Sequence, residues 1–275
     1  MCIVFLHIDS PNSNSDYKLI LISNRDEYYD RPAQKMNSWA EDASIYGGRD
    51  LQPGCENGTW LAVSTSLKKI GILLNLPGMN KQHAHSRGKI VENFVKSDLS
   101  IKDFIESMKD YFLECNDFVL VTVDYGVFTP VIHTYSNATN ELKVWNDRYM
   151  GFGNCLPDTP LKKVQAGKSK LQEICNKYNK INDREKLIEE LICVLKSEER
   201  NLPDPQLEQR QPQNFKELSS IFVKIPHGRY GTRAHTIILV TKTGKMDLIE
   251  ISMSFPIDAI KPSWERSEFR FETPV

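Results

Sequence analysis

The sequence predicts an α+β fold, a single domain over residues 1–275 with two sheets sandwiched between helical layers. Three observations carry that expectation. Apolar β-rich runs and helical stretches come in blocks, in the order strands, helices, strands, helices, strands. The β runs are apolar on consecutive residues rather than alternately, as in strands covered on both faces. No stretch reads as a linker between independent halves, and no internal repeat is visible.

The elements follow in order. "CIVFLHI" (2–8) and "YKLILIS" (17–23) flank the turn-forming loop "DSPNSNSD" and read as a hairpin. A turn-rich segment, "YGGRDLQPGCENGT" (46–59), precedes a second pair of strands, "WLAVS" (60–64) and "IGILLN" (70–75). "SRGKIVENFVKS" (86–97) and "SIKDFIESMKDYFLEC" (100–115) have helical apolar spacing, the second opened by a capping box of Ser100 and Asp103. Strands return in "DFVLVTVDY" (117–125), "PVIHTYS" (130–136) and "ELKVWN" (141–146). Thr159-Pro160 reads as the cap and first position of a helix over 161–178, with another over 184–197. A polar connector over 198–217 is expected as an exposed loop before "IFVKI" (221–225), a hairpin over 235–252 turning at Thr243-Gly244, and "EFRFE" (268–272).

Thirty-five basic and thirty-six acidic residues leave a net charge of −1, which argues against a protein that coats nucleic acid or an anionic membrane. No run approaches the ~20 apolar residues of a membrane-spanning helix. The N-terminus has no basic flank before its apolar run, and arginine is absent until position 25, so neither a secretory nor a mitochondrial leader is expected. These features point to the cytoplasm. The six cysteines show no CxxC pairing and are expected to be free thiols, several of them buried.

Two features bear chemistry. Cys2 would become the first residue if Met1 were removed, coupling a thiol to an α-amine whose pKa of about 8 makes it a base near neutrality. The plain alternative is the first core residue of an edge strand. The stretch "ISNRDEYYDRPA" (22–33) crowds Arg25, Asp26, Glu27, Asp30 and Arg31 together after a strand. It is either a salt-bridged turn or a set of groups that position a nucleophile or a ligand. The hairpin would bring Asn24, Arg25 and Asp26 close to Cys2.

Other segments offer weaker signals. "YGGRD" (46–50) and "ENGTW" (56–60) match no phosphate-binding loop and read as turns that let backbone approach the Cys2 region. "HGRYGTR" (227–233) could hold a carboxylate or phosphate through Arg229 and Arg233, or form a charged turn. Lys162, Lys163, Lys168 and Lys170 read as a solvated helix face. His83 and His85, near Met79, are soft ligand types in what reads as a solvated loop, and no metal site is expected. His7, His133, His227 and His235 lie in or beside strands, where packing with a hydrogen bond is the usual role.

Together "MCIVF", "SNRDE", "GGRDLQPGCENGTWLAVS", "GILLN", "GFGNCLPDTP" and "YGTRAHTIILV" resemble the transport-and-Golgi-organisation protein 2 family over essentially the whole chain. Its Asn-Arg-Asp-Glu signature is here Asn24-Arg25-Asp26-Glu27. The resemblance implies a fold like that of the N-terminal-nucleophile hydrolases, four layers in αββα order. A more distant similarity, to cysteine amidases such as choloylglycine hydrolases, implies catalytic roles for Cys2, Arg25, Asp26, Asn75, Asn154 and Arg233. Cys2 would be the nucleophile, and Asn75 and Asn154 would be the oxyanion donors. The Arg and Asp are adjacent here, whereas the amidases separate them by two residues.

The family resemblance also implies haem trafficking, handling of acyl-coenzyme A and other lipids, and upkeep of the secretory pathway and mitochondria. No hydrolase reaction comes with it. The expectation is therefore a non-enzymatic carrier of an amphipathic anion, haem or an acyl-CoA, in a pocket beside Cys2, with haem as cargo and no cofactor required. Its ligand-binding set would be Cys2, Asn24, Arg25, Asp26, Glu27, Arg31, Trp60, Asn75, Arg229 and Arg233. Transient contact with organelle membranes or transporters, at mitochondria or Golgi, would follow, and no nucleic acid. The alternatives are a Cys2-dependent amidohydrolase or thioesterase and, third, a scaffold for secretory organisation.

Overall fold

A computed structural model describes residues 2–78 and 80–272. The expectations placed on Met1 removal and on Met79 as a soft ligand lie outside the described residues. The first strands are β1 (Ile3–Ile8), β2 (Tyr17–Tyr28), β3 (Ala33–Trp39), β4 (Asp42–Asp50), β5 (Leu61–Ser64) and β6 (Lys69–Asn75). Helices α1 (Gly88–Lys96), α2 (Ile101–Ser107) and α3 (Lys109–Glu114) follow, then β7 (Phe118–Asp124), β8 (Val131–Ser136), β9 (Glu141–Trp145) and β10 (Tyr149–Gly153). A second helical block holds α4 (Lys162–Lys177), α5 (Arg184–Leu195), α6 (Pro205–Arg210) and α7 (Phe215–Leu218). The last strands are β11 (Lys224–Ile225), β12 (Tyr230–Thr241), β13 (Lys245–Met253) and β14 (Trp264–Glu272). The class is α+β, with two antiparallel sheets and helices packed on them.

The chain divides into two compact units. The first comprises residues 1–30, 128–130 and 147–275. Its sheet runs β10-β1-β2-β12-β13-β14, with β11 paired to β12, and every pairing is antiparallel. Ile3, Phe5, Ile20, Ile22, Ile237 and Leu239 lie on the face that receives Val164 and Leu171 of α4 and Leu187 and Leu191 of α5. All six side chains of β1 are buried, as its unbroken apolar run requires.

The second unit, residues 31–127 and 131–146, is a meander in the order β3-β4-β5-β6-β7-β8-β9. Helices α1 to α3 pack on it through a chain of rings, Phe94–Phe104 at 5.3 Å and Phe112–Phe118 at 5.3 Å. Ser100 caps α2 as expected by accepting from the Asp103 N–H at 3.3 Å. The single helix expected over 100–115 breaks at Met108 into α2 and α3.

Three local expectations give way to tertiary contacts. The segment 46–50 is part of strand β4 rather than a turn. A Cβ on Gly47 would come 2.8 Å from the Leu61 carbonyl, and one on Gly48 would come 2.3 Å from the Trp60 ring, so these glycines mark close approach between elements. Helix α4 begins at Lys162 rather than at Thr159-Pro160, and its N-terminus is satisfied by Asp204, whose Oδ2 accepts from the Lys162 N–H at 2.8 Å. Residues 198–217 are not simply an exposed loop. Asp204 caps α6 by accepting from the Leu207 N–H at 3.1 Å, and both residues are buried.

Helix α4 lies unusually close to β1. A Cβ on Gly167 would overlap the Phe5 ring, 2.1 Å from Cζ, while Cβ atoms on Gly151 and Gly153 would each come 3.0 Å from Val164. Glycine is ordinarily worse than alanine inside a helix by about 1 kcal/mol. Gly167→Ala should invert that order and destabilise the protein by roughly 1–3 kcal/mol through overpacking. Urea denaturation of wild type and variant measures the sign; a stabilised variant would mean that α4 does not press on β1.

Candidate functional site

The Asn-Arg-Asp-Glu run is not a turn after the second strand. It lies inside β2, which pairs with β1 on one edge and β12 on the other. Side chains alternate along a strand, so Asn24 and Asp26 share the helix-covered face of Ile20 and Ile22, and Arg25 and Glu27 point to the opposite face. Four consecutive residues thus serve two surfaces of the sheet.

Ile3 pairs with Asn24 across one edge of β1 and with Gly153 across the other. Cys2 therefore sits between the Asn24–Asp26 stretch and Asn154, which follows β10, as the hairpin reading requires. Its Sγ lies 3.9 Å from the Asp26 carbonyl, as donor. Cys2 is half-buried, and burial pushes its thiol pKa up. Asn154 is buried, and its carbonyl accepts from Arg210 at 3.4 Å.

Asn24 is fully buried and committed. Its Nδ2 donates to the carbonyls of Leu195 at 2.8 Å and Ile221 at 3.0 Å, which leaves Oδ1 to face His235 Nδ1 at 2.7 Å. The network assigns the imidazole proton to Nδ1 and the lone pair to Nε2. Nε2 is buried without a partner among the described residues. The ring stacks on Trp264 at 5.0 Å and 10°, with Phe222 at 5.8 Å. Burial takes the His235 pKa down to about 3, so the ring stays neutral.

Asp26 is buried beside Thr232, whose hydroxyl donates to Oδ1 at 2.6 Å and accepts from the Val223 N–H at 2.9 Å. Thr232 pairs with Asp26 and Ala234 with Arg25, so Arg233 is the extra residue of a β-bulge. The Arg233 guanidinium is buried and donates to the Tyr28 carbonyl at 2.9 Å. Arg25 is buried, and Glu27 Oε1 accepts from the Tyr28 N–H at 2.8 Å.

The remaining expected residues are Arg229, Arg31, Trp60 and Asn75. Arg229, in a left-handed conformation (φ 46°), grips Asp30 through two 2.7 Å bonds and is largely exposed. Arg31, Trp60 and Asn75 belong to the second unit. There Arg31 bonds Asp50 at 2.7 Å, Trp60 covers Gly48, and Asn75 ends β6 in an exposed position. His83 and His85 are exposed, and His85 packs on Tyr111 at 4.9 Å. All six cysteines are free thiols, with Cys115, Cys155 and Cys175 buried.

One residue of the site runs against the sequence reading. Lys163 is not on a solvated face: it is 1% exposed, and its Nζ donates to the Ser220 carbonyl at 3.1 Å. Burial lowers its pKa, while Asp26, Cys2, Cys155 and Asp204 act in the opposite direction. The signal was present in the spacing, because Lys163 begins the buried stripe Lys163, Gly167, Leu171, Cys175 at intervals of four.

These features define an α+β protein with a cysteine at the head of its first strand and a buried polar group carried by its Asn-Arg-Asp-Glu strand. A family model described as Transport and Golgi organisation 2 matches residues 1–254. The chain is 35% identical over 263 residues to Transport and Golgi organization protein 2 of Drosophila melanogaster, covering 92% of this chain and 93% of that one. It is 31% identical over 277 residues to the Transport and Golgi organization 2 homolog of Mus musculus, covering 98% and 99%. The Homo sapiens homolog is 32% identical over 279 residues, again covering 98% and 99%. The chain belongs to the Transport and Golgi organisation 2 family. Among the described residues no helix is long and apolar enough to cross a membrane.

Two neutral buried histidines set an acid limit on stability. His235 is held at about 3, and burial takes His7, which accepts from Arg148 at 3.2 Å, down to about 4. Both release protons on folding below the ordinary histidine pKa of about 6.5, so stability is complete above that pH and falls as pH drops toward their folded values. Urea midpoints between pH 6.5 and 4.5 should decline, and His235→Gln should flatten the slope by about 1.4 kcal/mol per pH unit. An unchanged slope would place His235 in contact with water.

Proposed function

We propose that this family member handles a ligand rather than hydrolysing one, taking an amphipathic anion at the Cys2 end of the first unit. Haem is the first candidate, as cargo, and an acyl-CoA the second. The observation that carries the reading is the state of Cys2. Burial raises its pKa and its S–H points at a carbonyl, whereas a nucleophilic cysteine needs a lowered pKa and a base. Around it the buried polar groups of Arg25, Asp26 and Arg233 are fixed in a sheet, a rigid support for recognising a charged end. The relatives' names attach transport and Golgi organisation to those proteins. For this chain, a cytoplasmic carrier with transient contacts at Golgi or mitochondrial membranes suits those names.

Absorbance titration with haem and calorimetry with palmitoyl-CoA test the proposal on the full-length protein. At least one should bind more tightly than about 100 μM, a free energy near −5.5 kcal/mol. Failure of both would overturn it.

A Cys2-dependent amidohydrolase or thioesterase is the second reading, favoured by the position of Cys2 at the head of β1 beside Asn154. That mechanism requires a free α-amine on Cys2 as base. Intact-mass measurement decides: a retained Met1 removes the base and ends this reading.

A further inference from the structure

The ligand-handling reading leaves a buried cation unexplained. We propose that Lys163 receives the carboxylate of the ligand. A lysine at this position is costly, because an ammonium withdrawn from water needs a counter-ion or several acceptors. Among the described residues its one hydrogen bond goes to the neutral Ser220 carbonyl, and no carboxylate closes an ion pair with it. Two of its three N–H donors are unused.

Of the neighbouring acids, Asp204 is engaged elsewhere and Asp26 stands off from the amine. Asp204 gives both oxygens to backbone N–H groups, those of Lys162 at 2.8 Å and Leu207 at 3.1 Å. Asp26 accepts from Thr232 through Oδ1 and acts on Lys163 through space, without an ion pair at contact distance. The place of Lys163 is fixed by packing, since α4 closes onto β1 and β10 through Gly151, Gly153 and Gly167. Its neighbour Val164 reaches 3.0 Å from a Cβ built on Gly153, and that same point lies 3.9 Å from the Cys2 carbonyl and 4.0 Å from Cys155 Sγ. The amine's own bond to the Ser220 carbonyl sets it next to the Ile221 carbonyl that accepts from Asn24.

Depth and charge together select the ligand chemistry. With Lys163 only 1% exposed, a small charged group could reach it where a nucleotide diphosphate could not. Asp26 and Asp204, both close enough to act on Lys163, would repel a multiply charged phosphate more strongly than a single carboxylate. A haem propionate and the carboxylate of a free fatty acid share that chemistry; a thioester-linked acyl-CoA lacks it.

The inference rests on the ligand-handling reading, and four probes separate the two: haem, haem dimethyl ester, palmitate and palmitoyl-CoA. Lys163→Met should weaken haem or palmitate, whichever the wild type binds, at least tenfold. It should leave the dimethyl ester and palmitoyl-CoA within twofold and the urea midpoint no lower. Lys163→Gln, which retains a donor for the Ser220 carbonyl, is the second variant should the first fail to fold, with the same expectation. Unchanged carboxylate binding in a folded variant, equal losses across all four probes, or wild-type binding of the ester and palmitoyl-CoA alone overturns the role of Lys163. A wild type that binds none of the four overturns the ligand-handling reading itself, and the role with it.

Discussion

Side chains buried within a sheet have no water to fall back on, and β2 carries Asn24, Arg25 and Asp26 in that setting. Each polar side chain that is buried there must find partners within the protein or weaken the sheet. Asn24 answers by tying β2 to the end of α5, to the segment before β11 and to His235. Asp26 draws on the Thr232 hydroxyl, which is itself held by the Val223 N–H. The ordering of the segments around the sheet is the other side of that demand.

The same principle extends to the helical layer. Glycines let α4 approach β1 until the Phe5 ring fills the space a side chain at Gly167 would need, and this closeness draws Lys163 inward with the apolar stripe. Asp204, distant in sequence, satisfies the first N–H of that helix and caps α6 as well. Cys2, Asp26 and Lys163 therefore belong to one packed assembly, built from a terminal strand, a central strand and a helix.

Much of this was legible from residue patterns. The hairpins β1–β2, β5–β6 and β12–β13 follow from apolar runs broken by turn-formers, and the approach of Cys2 to Asp26 follows from the first of them. What escaped has tertiary causes. Gly47 and Gly48 look like turn residues, but they serve a strand crowded by Leu61 and Trp60. The cap of α4 comes from 42 residues downstream, beyond any local motif. Lys163 was hidden by its charge, since composition assigns lysine to the surface and only its phase with Gly167 and Leu171 argued otherwise. Arg229 reads from sequence as a ligand group or part of a charged turn, and its partner Asp30, 199 residues away, is beyond any local motif.

The bulge at Arg233 carries a consequence of parity. Thr232 and His235 are three residues apart, an odd separation that in a regular strand sends side chains to opposite faces. Asn24 and Asp26 are two apart and share a face. By adding one residue on its own side of the ladder, β12 turns an odd interval into an even one, so that Thr232 meets Asp26 and His235 meets Asn24 on the same surface. Removing the extra residue would straighten the ladder and leave both pairs in step, so what the bulge adds is Arg233 itself, a buried guanidinium that donates to the Tyr28 carbonyl.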